Sequence, residues 1–331
     1  VSNTRKILVT GPAIAQRAVT LAHEQGYELV FAQPYSDAQT LAALVQSEDP
    51  IGIVSRAGHL GREAIRAGGA LKIVSKHGAG VDNIDVEAAT QMGIQVIRAT
   101  GANAVSVAEH TLALTMAVIK QLRPLDQTLR RGDWEKLSFA SREMAGMRVG
   151  LIGAGAIAQA TARLFRGIGM SVVAYDPYPP LKVFEEMGAQ RSGSVQKMLP
   201  LVDIVSLHCP LTEETRHILN AKSLALLPKG SFVINAARGG LVDEAALLDA
   251  LVSGHIAGAG LDVFEVEPPR RDNPLFKARD LIVTPHIGAS THEAMDRVAC
   301  AAVQGIIDYV EGRRIAANRL VNKIEFETAA T

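Results

Sequence analysis

Between Arg148 and Phe165 the chain runs RVGLIGAGAIAQATARLF, and the fold follows from how these residues divide. Val149–Ile152 is a short apolar strand. A glycine turn follows, and then a helix with apolar residues at three and four spacing. Gly153, Gly155 and Ala158 stand in the order G-x-G-x-x-A. The first glycine permits the tight turn, the second lets backbone approach a pyrophosphate, and a small third residue lets the helix pack close to its strand. The helix then aims its free N–H groups and positive dipole end at the phosphates. Such a turn alone is a common feature of βαβ units. Its setting is what points to a dinucleotide: strand before, helix after, and Asp176 at the end of the next strand, Val172–Tyr175.

Composition narrows the field. The chain has 331 residues, 48% of them hydrophobic, and a formal net charge of zero. That length predicts two domains of ordinary size. Balanced, interspersed charge argues against a nucleic-acid binder. Cys209 and Cys300 are the only cysteines. They form no metal-ligand or redox spacing, so no metal is expected and a reducing, cytoplasmic setting is. No apolar run approaches the ~20 residues of a membrane span. After VSNTRK the chain enters a strand directly, without a signal-peptide pattern.

Outward from the glycine turn, two alternating series appear. The first has short β-rich runs at Ile7–Thr10, Glu28–Ala32, Ile51–Ser55, Leu71–Ser75 and Gln95–Arg98, with helical patterns between them. Near-continuous apolar strands alternating with helices predict a parallel sheet covered on both faces. The fourth run ends in SKHGAGVDNID, where Gly78, Ala79 and Gly80 form a loop whose N–H groups could face an anion. It equally fits a plain strand-to-helix turn with Asp82 or Asn83 as the cap. A long helix is predicted over Ala104–Leu122, its broad apolar face buried between domains and Pro124 marking its end. The charged arm LDQTLRRGDWEKL holds the one tryptophan, Trp134, either on a solvated face or as an anchor at a subunit contact. The second series has six expected strands: Val149–Ile152, Val172–Tyr175, Ile204–Leu207, Phe232–Asn235, Gly258–Leu261 and Leu281–Val283. A final helix is predicted over Thr291–Glu311, capped by Ser290 or Thr291, and returns towards the first domain. A short strand, Asn322–Glu327, follows.

Ligands of open α/β sheets bind outside the carboxyl ends of the strands. The residues directly after the six strands of the second series are Gly153-Ala154-Gly155, Asp176, His208-Cys209-Pro210, Ala236-Ala237-Arg238-Gly239-Gly240, Asp262, and Pro285-His286. Asp176 is placed to bond ribose hydroxyls and to repel a 2′-phosphate, which favours NAD; it also fits a turn cap before Pro177. Arg238 could grip a carboxylate in bidentate fashion, or bond loop carbonyls. His286, beside Gly288 and Ser290, is a candidate acid–base group. A carboxylate near it would fix its tautomer, and Glu265 and Glu267 in LDVFEVEPP are rivals that spacing cannot separate.

The motifs HGAGVDNID, SVAEHTLAL, VGLIGAGAIA, HCPLT, INAARGGLVDE, GAGLDVFEVEP and TPHIGAST occur in that order over essentially the whole chain. In this the sequence resembles the D-isomer specific 2-hydroxyacid dehydrogenase family, which includes D-3-phosphoglycerate, D-glycerate, formate and hydroxypyruvate-type enzymes. The resemblance implies a catalytic set of Arg238, Glu267 and His286, choosing Glu267 over Glu265. It implies NAD contacts at Gly153, Gly155, Ala156, Ile157, Asp176, Pro210, Ala236, Ala237, Arg238, Asp262 and His286, with Gly288 and Ala289 after it. Asp262 would help to position the cofactor carboxamide. The substrate carboxylate would meet the N–H groups of Ala79 and Gly80, and Arg56 stands where phosphoglycerate-type members carry a substrate arginine. Lys76 and His77 add positive potential there, and with Arg56 they hint at a substrate with a second anionic group; Lys76 equally fits a merely solvated position. The alternatives are a hydroxypyruvate or glyoxylate reductase and an NAD-sensing corepressor.

The family also implies two doubly wound α/β parallel-sheet domains. A discontinuous flavodoxin-like substrate domain would comprise 1–103 and 290–331, and a Rossmann NAD domain 104–289. The helices at Ala104 and Thr291 would be hinges, and the cleft between domains would hold the reaction. A homodimer through the Ala104 helix and the Trp134 arm is expected. Departures are few: Ala156 stands where many members have arginine or histidine, and Ala158 replaces the third glycine. The sequence ends near the family's minimal length, so the serine feedback of longer phosphoglycerate dehydrogenases is not expected.

Overall fold

Apolar runs too short for helices, each followed by an amphipathic segment, produce parallel strands throughout. The protein, described by a computed structural model over residues 5–324, divides into two compact units. One comprises the residues up to Asn103 together with those from Thr291 onward, and the other is Ala104–Ser290.

The first unit has strands β1 (Arg5–Thr10), β2 (Tyr27–Phe31), β3 (Gly52–Ser55), β4 (Ile73–Lys76) and β5 (Gln95–Arg98). All pair in parallel in the order β2-β1-β3-β4-β5, the flavodoxin-like arrangement. Alternation along the strands feeds two cores. Ile7, Val9, Val54 and Ile73 face Ala299, Ala302, Val303 and Ile306 of the long helix His292–Val310. Leu8, Ile53, Val74 and Val96 pack on the other side with Leu41, Val45 and Ile65. Thr291, not Ser290, caps the long helix, its hydroxyl accepting from Ala294 N–H at 3.1 Å. The expected strand Asn322–Glu327 is not formed over Asn322–Ile324, and its remainder lies outside the described residues. The reason is local. The Asn322 side chain itself takes the Val96 N–H at 2.7 Å and donates to Ile94 O at 3.0 Å, so a carboxamide occupies the sheet edge where strand backbone would sit.

The second unit has β6 (Arg148–Ile152), β7 (Ser171–Tyr175), β8 (Ala189–Arg191), β9 (Ile204–Leu207), β10 (Ser231–Asn235), β11 (Ile256–Leu261) and β12 (Leu281–Val283). Their order, β12-β11-β10-β9-β6-β7-β8, is that of a Rossmann sheet with one added strand. The sequence predicts six strands here and the structure has seven. The missed one, β8, is a three-residue edge strand, A-Q-R, that pairs only with β7 and carries no apolar run. A second correction concerns the helix predicted over Ala104–Leu122. It ends at Ile119, and after Gln121 in the left-handed conformation (φ 50°) a new helix spans Leu122–Arg130. Pro124 lies in that helix's first turn, where its missing N–H costs nothing. Leu114, Val118 and Ile119 of the first helix pack with Val149, Leu151 and Ile234 of the sheet. Among the described residues, no helix is long and apolar enough to cross a membrane.

Candidate active site

The glycine turn sits at the switch point of the second sheet, where the chain leaves β6 and β9 in opposite directions. Gly153 has φ +110°, and a Cβ there would stand 2.7 Å from the backbone carbonyl carbon of His208, just after β9. Glycine is therefore required on two counts, conformation and space. Gly155 is different. It is the N-cap of the helix Ala156–Gly167, with φ −71° and no side-chain cap, and a Cβ on it would meet nothing within 4 Å. No side chain caps this helix start, and the room beside Gly155 is what the approach of a pyrophosphate to such a turn requires. Ala158 is fully buried, as close helix packing demands.

Asp176 follows β7 and turns back on the turn. Its Oδ2 accepts from Ala154 N–H at 2.9 Å and its Oδ1 from Tyr178 N–H at 3.1 Å. With Tyr175, Pro177, Arg191, Ser192 and Gly193 it lines a cavity of about 380 Å³. Arg191 is a residue that sequence reasoning missed, because it lies on the unpredicted strand β8. After β9, His208 is partly buried; its Nε2 is 2.9 Å from Ser206 Oγ, and burial of the ring pushes its pKa down to about 4. Burial pushes the adjacent Cys209 thiol up to about 12, which makes it a poor nucleophile. Pro210 accepts from Thr215 Oγ1 at 2.7 Å, bracing the loop beyond.

The loop after β10 is braced by Asn235, whose side chain accepts from Ala237 N–H and donates to Arg238 O. Ala236 and Ala237 fill this tight path, and Arg238 Nη1 donates to Ala237 O at 2.7 Å. A Cβ on the next residue, Gly239, would overlap the carbonyl carbon of Phe264. That close approach brings the Arg238 loop against the segment carrying Glu265 and Glu267, another link without a distinctive sequence signal. Asp243 then caps the helix Glu244–Val252 by accepting from Ala246 N–H at 3.0 Å.

The structure separates the two rival glutamates. Glu265 Oε1 accepts from Glu244 N–H and lies 3.2 Å from His217 Nε2. Glu267 Oε1 accepts from Phe264 N–H, and its Oε2 is 2.7 Å from His286 Nδ1. Burial alone would raise the Glu267 carboxyl. The hydrogen bond and charge of His286, the Phe264 N–H and the Arg238 charge outweigh it and hold the group below the usual carboxylate range. Arg238 is thus within electrostatic reach of the Glu267–His286 pair.

His286 has φ +54°, a left-handed backbone that costs a non-glycine residue about 1 kcal/mol. Asp262, at the end of β11, sustains it. Asp262 O accepts from His286 N–H at 2.7 Å, Oδ1 from Ile287 N–H at 2.9 Å, and Oδ2 from Gly288 N–H at 2.8 Å. Thr284 Oγ1 donates to Oδ1 at 2.6 Å, and His110 Nε2 lies 3.3 Å from the same oxygen. Burial disfavours this carboxylate, but these donors hold its pKa below the ordinary value. Both oxygens are engaged within the protein. Ala289 follows, where Ser290 N–H closes a turn onto Ile287 O.

The first unit places its own candidates at the carboxyl ends of β3 and β4. Arg56 Nη1 donates to the carbonyls of Pro12 and Ala13. Lys76 Nζ donates to Asn83 Oδ1 at 2.6 Å, and Asn83 in turn donates to Gly58 O at 2.7 Å. Asn83 is therefore a hub of the loop and not the helix cap; that role, expected of Asp82 or Asn83, belongs to Asp85, which accepts from Ala88 N–H at 2.8 Å. His77 is pushed down to about 4 by burial, then by the Arg56 and Lys76 charges, which marks a cationic cluster. Gly78, at φ +137°, turns the chain, and among the described residues neither Ala79 nor Gly80 donates its N–H to a backbone carbonyl.

Residues 112–288 match the family model described as the NAD binding domain of D-isomer specific 2-hydroxyacid dehydrogenases. A D-3-phosphoglycerate dehydrogenase of Methanocaldococcus jannaschii is 39% identical over 308 residues, covering 93% of this chain and 58% of that protein. The chain thus spans little more than half the length of that relative. A hydroxypyruvate reductase of Thermotoga maritima is 39% identical over 281 residues, covering 84% of this chain and 90% of that protein. Among solved structures, the TT0316 protein from Thermus thermophilus superposes with a TM-score of 0.86 at 31% identity, covering 96% of this chain and 100% of that one.

Proposed function

The chain belongs to the D-isomer specific 2-hydroxyacid dehydrogenases, and from that premise we propose that it interconverts a D-2-hydroxy acid and its 2-keto acid with NAD. The observation that carries this reading is the 2.7 Å contact between His286 Nδ1 and Glu267 Oε2, with the Arg238 charge acting on the same carboxylate. The cradle at Gly155, which a Cβ would enter without touching protein, fits the cofactor's pyrophosphate. Gly153, Ala156 and Ile157 would grip it through backbone, and Asp176 would face the ribose of NAD.

The chemistry NAD supplies when bound is acceptance of a hydride from C2 of the hydroxy acid, or its return from NADH. The hydride carries two electrons, so the hydroxyl proton has to leave separately. With Nδ1 held by Glu267, Nε2 of His286 takes that proton in oxidation and gives it to the carbonyl oxygen in reduction. Glu267, held ionised, stabilises the imidazolium. Arg238 holds the carboxylate and the C2 oxygen with its planar fork and stabilises charge developing on that oxygen.

The first unit has an anion-recognition element of its own. The N–H groups of Ala79 and Gly80, which among the described residues donate to no backbone carbonyl, suit a carboxylate, and the cluster of Arg56, Lys76 and His77 suits a second anionic group, as in 3-phosphoglycerate. A second reading, a reductase of hydroxypyruvate or glyoxylate, is favoured by one observation: Arg56 and Lys76 already donate to neighbouring protein acceptors. We further assign the protein to the cytoplasm, as a homodimer; Trp134 (74% exposed) and Leu137 (99% exposed) offer an apolar contact surface. NADH oxidation with 3-phosphohydroxypyruvate, hydroxypyruvate, glyoxylate, pyruvate and oxaloacetate tests the whole reading, and light scattering tests the dimer. Preference for the phosphorylated acid supports the dianion assignment. Preference for hydroxypyruvate selects the alternative, and no turnover with any of them, or a fully active His286→Ala enzyme, sinks the proposal.

A further inference from the structure

His110 lies within the helix Ala104–Ile119, most of whose residues are apolar or small. Its ring faces the loop that carries His286. Nε2 is 3.0 Å from Thr284 Oγ1 and 3.3 Å from Asp262 Oδ1. The Thr284 hydroxyl donates to that same Asp262 oxygen at 2.6 Å. A hydroxyl has a single proton, so towards His110 the Thr284 oxygen is the acceptor, and His110 Nε2 carries the hydrogen. The chain of bonds therefore has a direction: His110 Nε2–H to Thr284, and Thr284 O–H to Asp262. Asp262 passes this constraint on through the Ile287 and Gly288 N–H groups and through its own carbonyl, which accepts from His286 N–H. The His110 ring also lies against Gly288, where a Cβ would stand 3.4 Å from His110 Cδ2 and 3.0 Å from Asp262 Oδ2. His286 sits in the middle of this frame with φ +54°.

We propose that His110 is a positioning residue for proton transfer: as an Nε2–H donor it sets Thr284 and Asp262, and these hold His286 in its left-handed conformation with Nδ1 on Glu267. The inference rests on the assignment of His286 as the acid–base group. Nothing in the helix itself needs a histidine here. A hydrophobic residue of similar size would satisfy packing but would leave Thr284 without its donor and free to turn its hydroxyl away from Asp262. A displaced imidazole still permits cofactor and substrate to bind, so the loss falls on kcat.

The test compares His110→Phe, His110→Gln and Thr284→Val with the parent enzyme, reading kcat, KM for the 2-keto acid, NADH affinity and Tm, with a crystal structure of His110→Phe. Expected is a fall in kcat of about 10- to 100-fold for His110→Phe and Thr284→Val, with KM and NADH affinity unchanged. His110→Gln, whose side-chain amide can reach the same oxygen, should recover most of kcat. In the crystal, His286 of His110→Phe should leave its positive φ or open its contact with Glu267. Full kcat in His110→Phe overturns the inference. So does an unmoved His286, or equal loss in the Phe and Gln variants tracking Tm alone. A dead His286→Ala enzyme beside a fully active His110→Phe enzyme overturns this inference only, whereas an active His286→Ala enzyme removes the underlying assignment as well.

Discussion

Gly153 and His208 are packed backbone to backbone: a Cβ on the glycine would stand 2.7 Å from the histidine's carbonyl carbon and oxygen. A Cβ on Gly155, two residues on, would meet nothing within 4 Å. The two glycines of one turn thus differ: one is packed against protein, and the other leaves room that the proposed cofactor would use. Gly153→Ala should lower Tm by several degrees, because it adds left-handed strain to a steric overlap. Gly155→Ala should keep Tm and lose NADH affinity. Thermal melts and fluorescence titration with NADH read the two effects separately; a Gly155→Ala protein that binds NADH as well as the parent would refute the assignment of that space to the cofactor.

The two glutamates near the turn before Pro268 make a paired experiment. Glu267 is bonded to His286, while Glu265 is bonded to Glu244 N–H and His217. Glu267→Gln removes the charge that stabilises an imidazolium and should lower kcat by about two orders of magnitude, with KM little changed. Glu265→Gln loses only a half-exposed loop contact, so its kcat should match the parent. Equal kinetics for both variants would contradict the role given to Glu267.

The strands built on an apolar run, even one as short as the Val-Ile of β5, were legible from pattern alone, as was the edge to which the candidate residues come. β8 was not, because an A-Q-R edge strand paired on one side only has no period to detect. The Ala104 helix was legible as an element but not in its end, since Gln121 takes a left-handed conformation that its residue type does not announce. Within the site, Arg238 and His286 stand out as polar residues directly after strands. The choice between Glu265 and Glu267 depends on which carboxylate meets His286, nineteen residues on from Glu267 and beyond β12, and spacing carries no such information. The brace formed by His110, Thr284 and Asp262 joins three separate elements, so only tertiary geometry displays it.

Two partly buried histidines should make the fold acid-sensitive. His77 and His208 are both depressed from 6.5 to about 4, by burial in each case and at His77 also by the Arg56 charge. Above pH 6.5 neither folded nor unfolded chain binds the proton. Between 6.5 and about 4 the unfolded chain binds it and the folded chain does not, so stability falls as pH drops through that window. Glu267 and Asp262 act at more acid pH. Their stabilisation is complete above the ordinary values of 4.5 and 3.8 and is lost as pH falls through the lower folded values. Chemical denaturation across this range should show a declining midpoint from pH 6.5 to 4, and His208→Gln should flatten part of that decline. A parent curve that is level over the window would show that the histidines protonate without cost.

Asp176 and Arg191 line one cavity of about 380 Å³, and cofactor choice is expected to turn on them. The carboxylate would repel a 2′-phosphate, while the guanidinium, lying 4.9 Å from the Phe184 ring centroid, would attract one. In the parent the carboxylate should prevail, since its position directly after β7 is the one that meets a ribose. Asp176→Asn removes its charge and keeps an oxygen to accept from Ala154 N–H, so the glycine turn stays braced. The NADPH-to-NADH ratio of kcat/KM should then rise by at least about tenfold, equivalent to ~1.4 kcal/mol. Arg191→Ala added to Asp176→Asn should cancel that gain, because the charge that receives the phosphate is gone. Steady-state kinetics with both nucleotides decide it: a ratio unmoved by Asp176→Asn would mean that this carboxylate does not face the ribose, and a gain that survives Arg191→Ala would place the phosphate contact elsewhere.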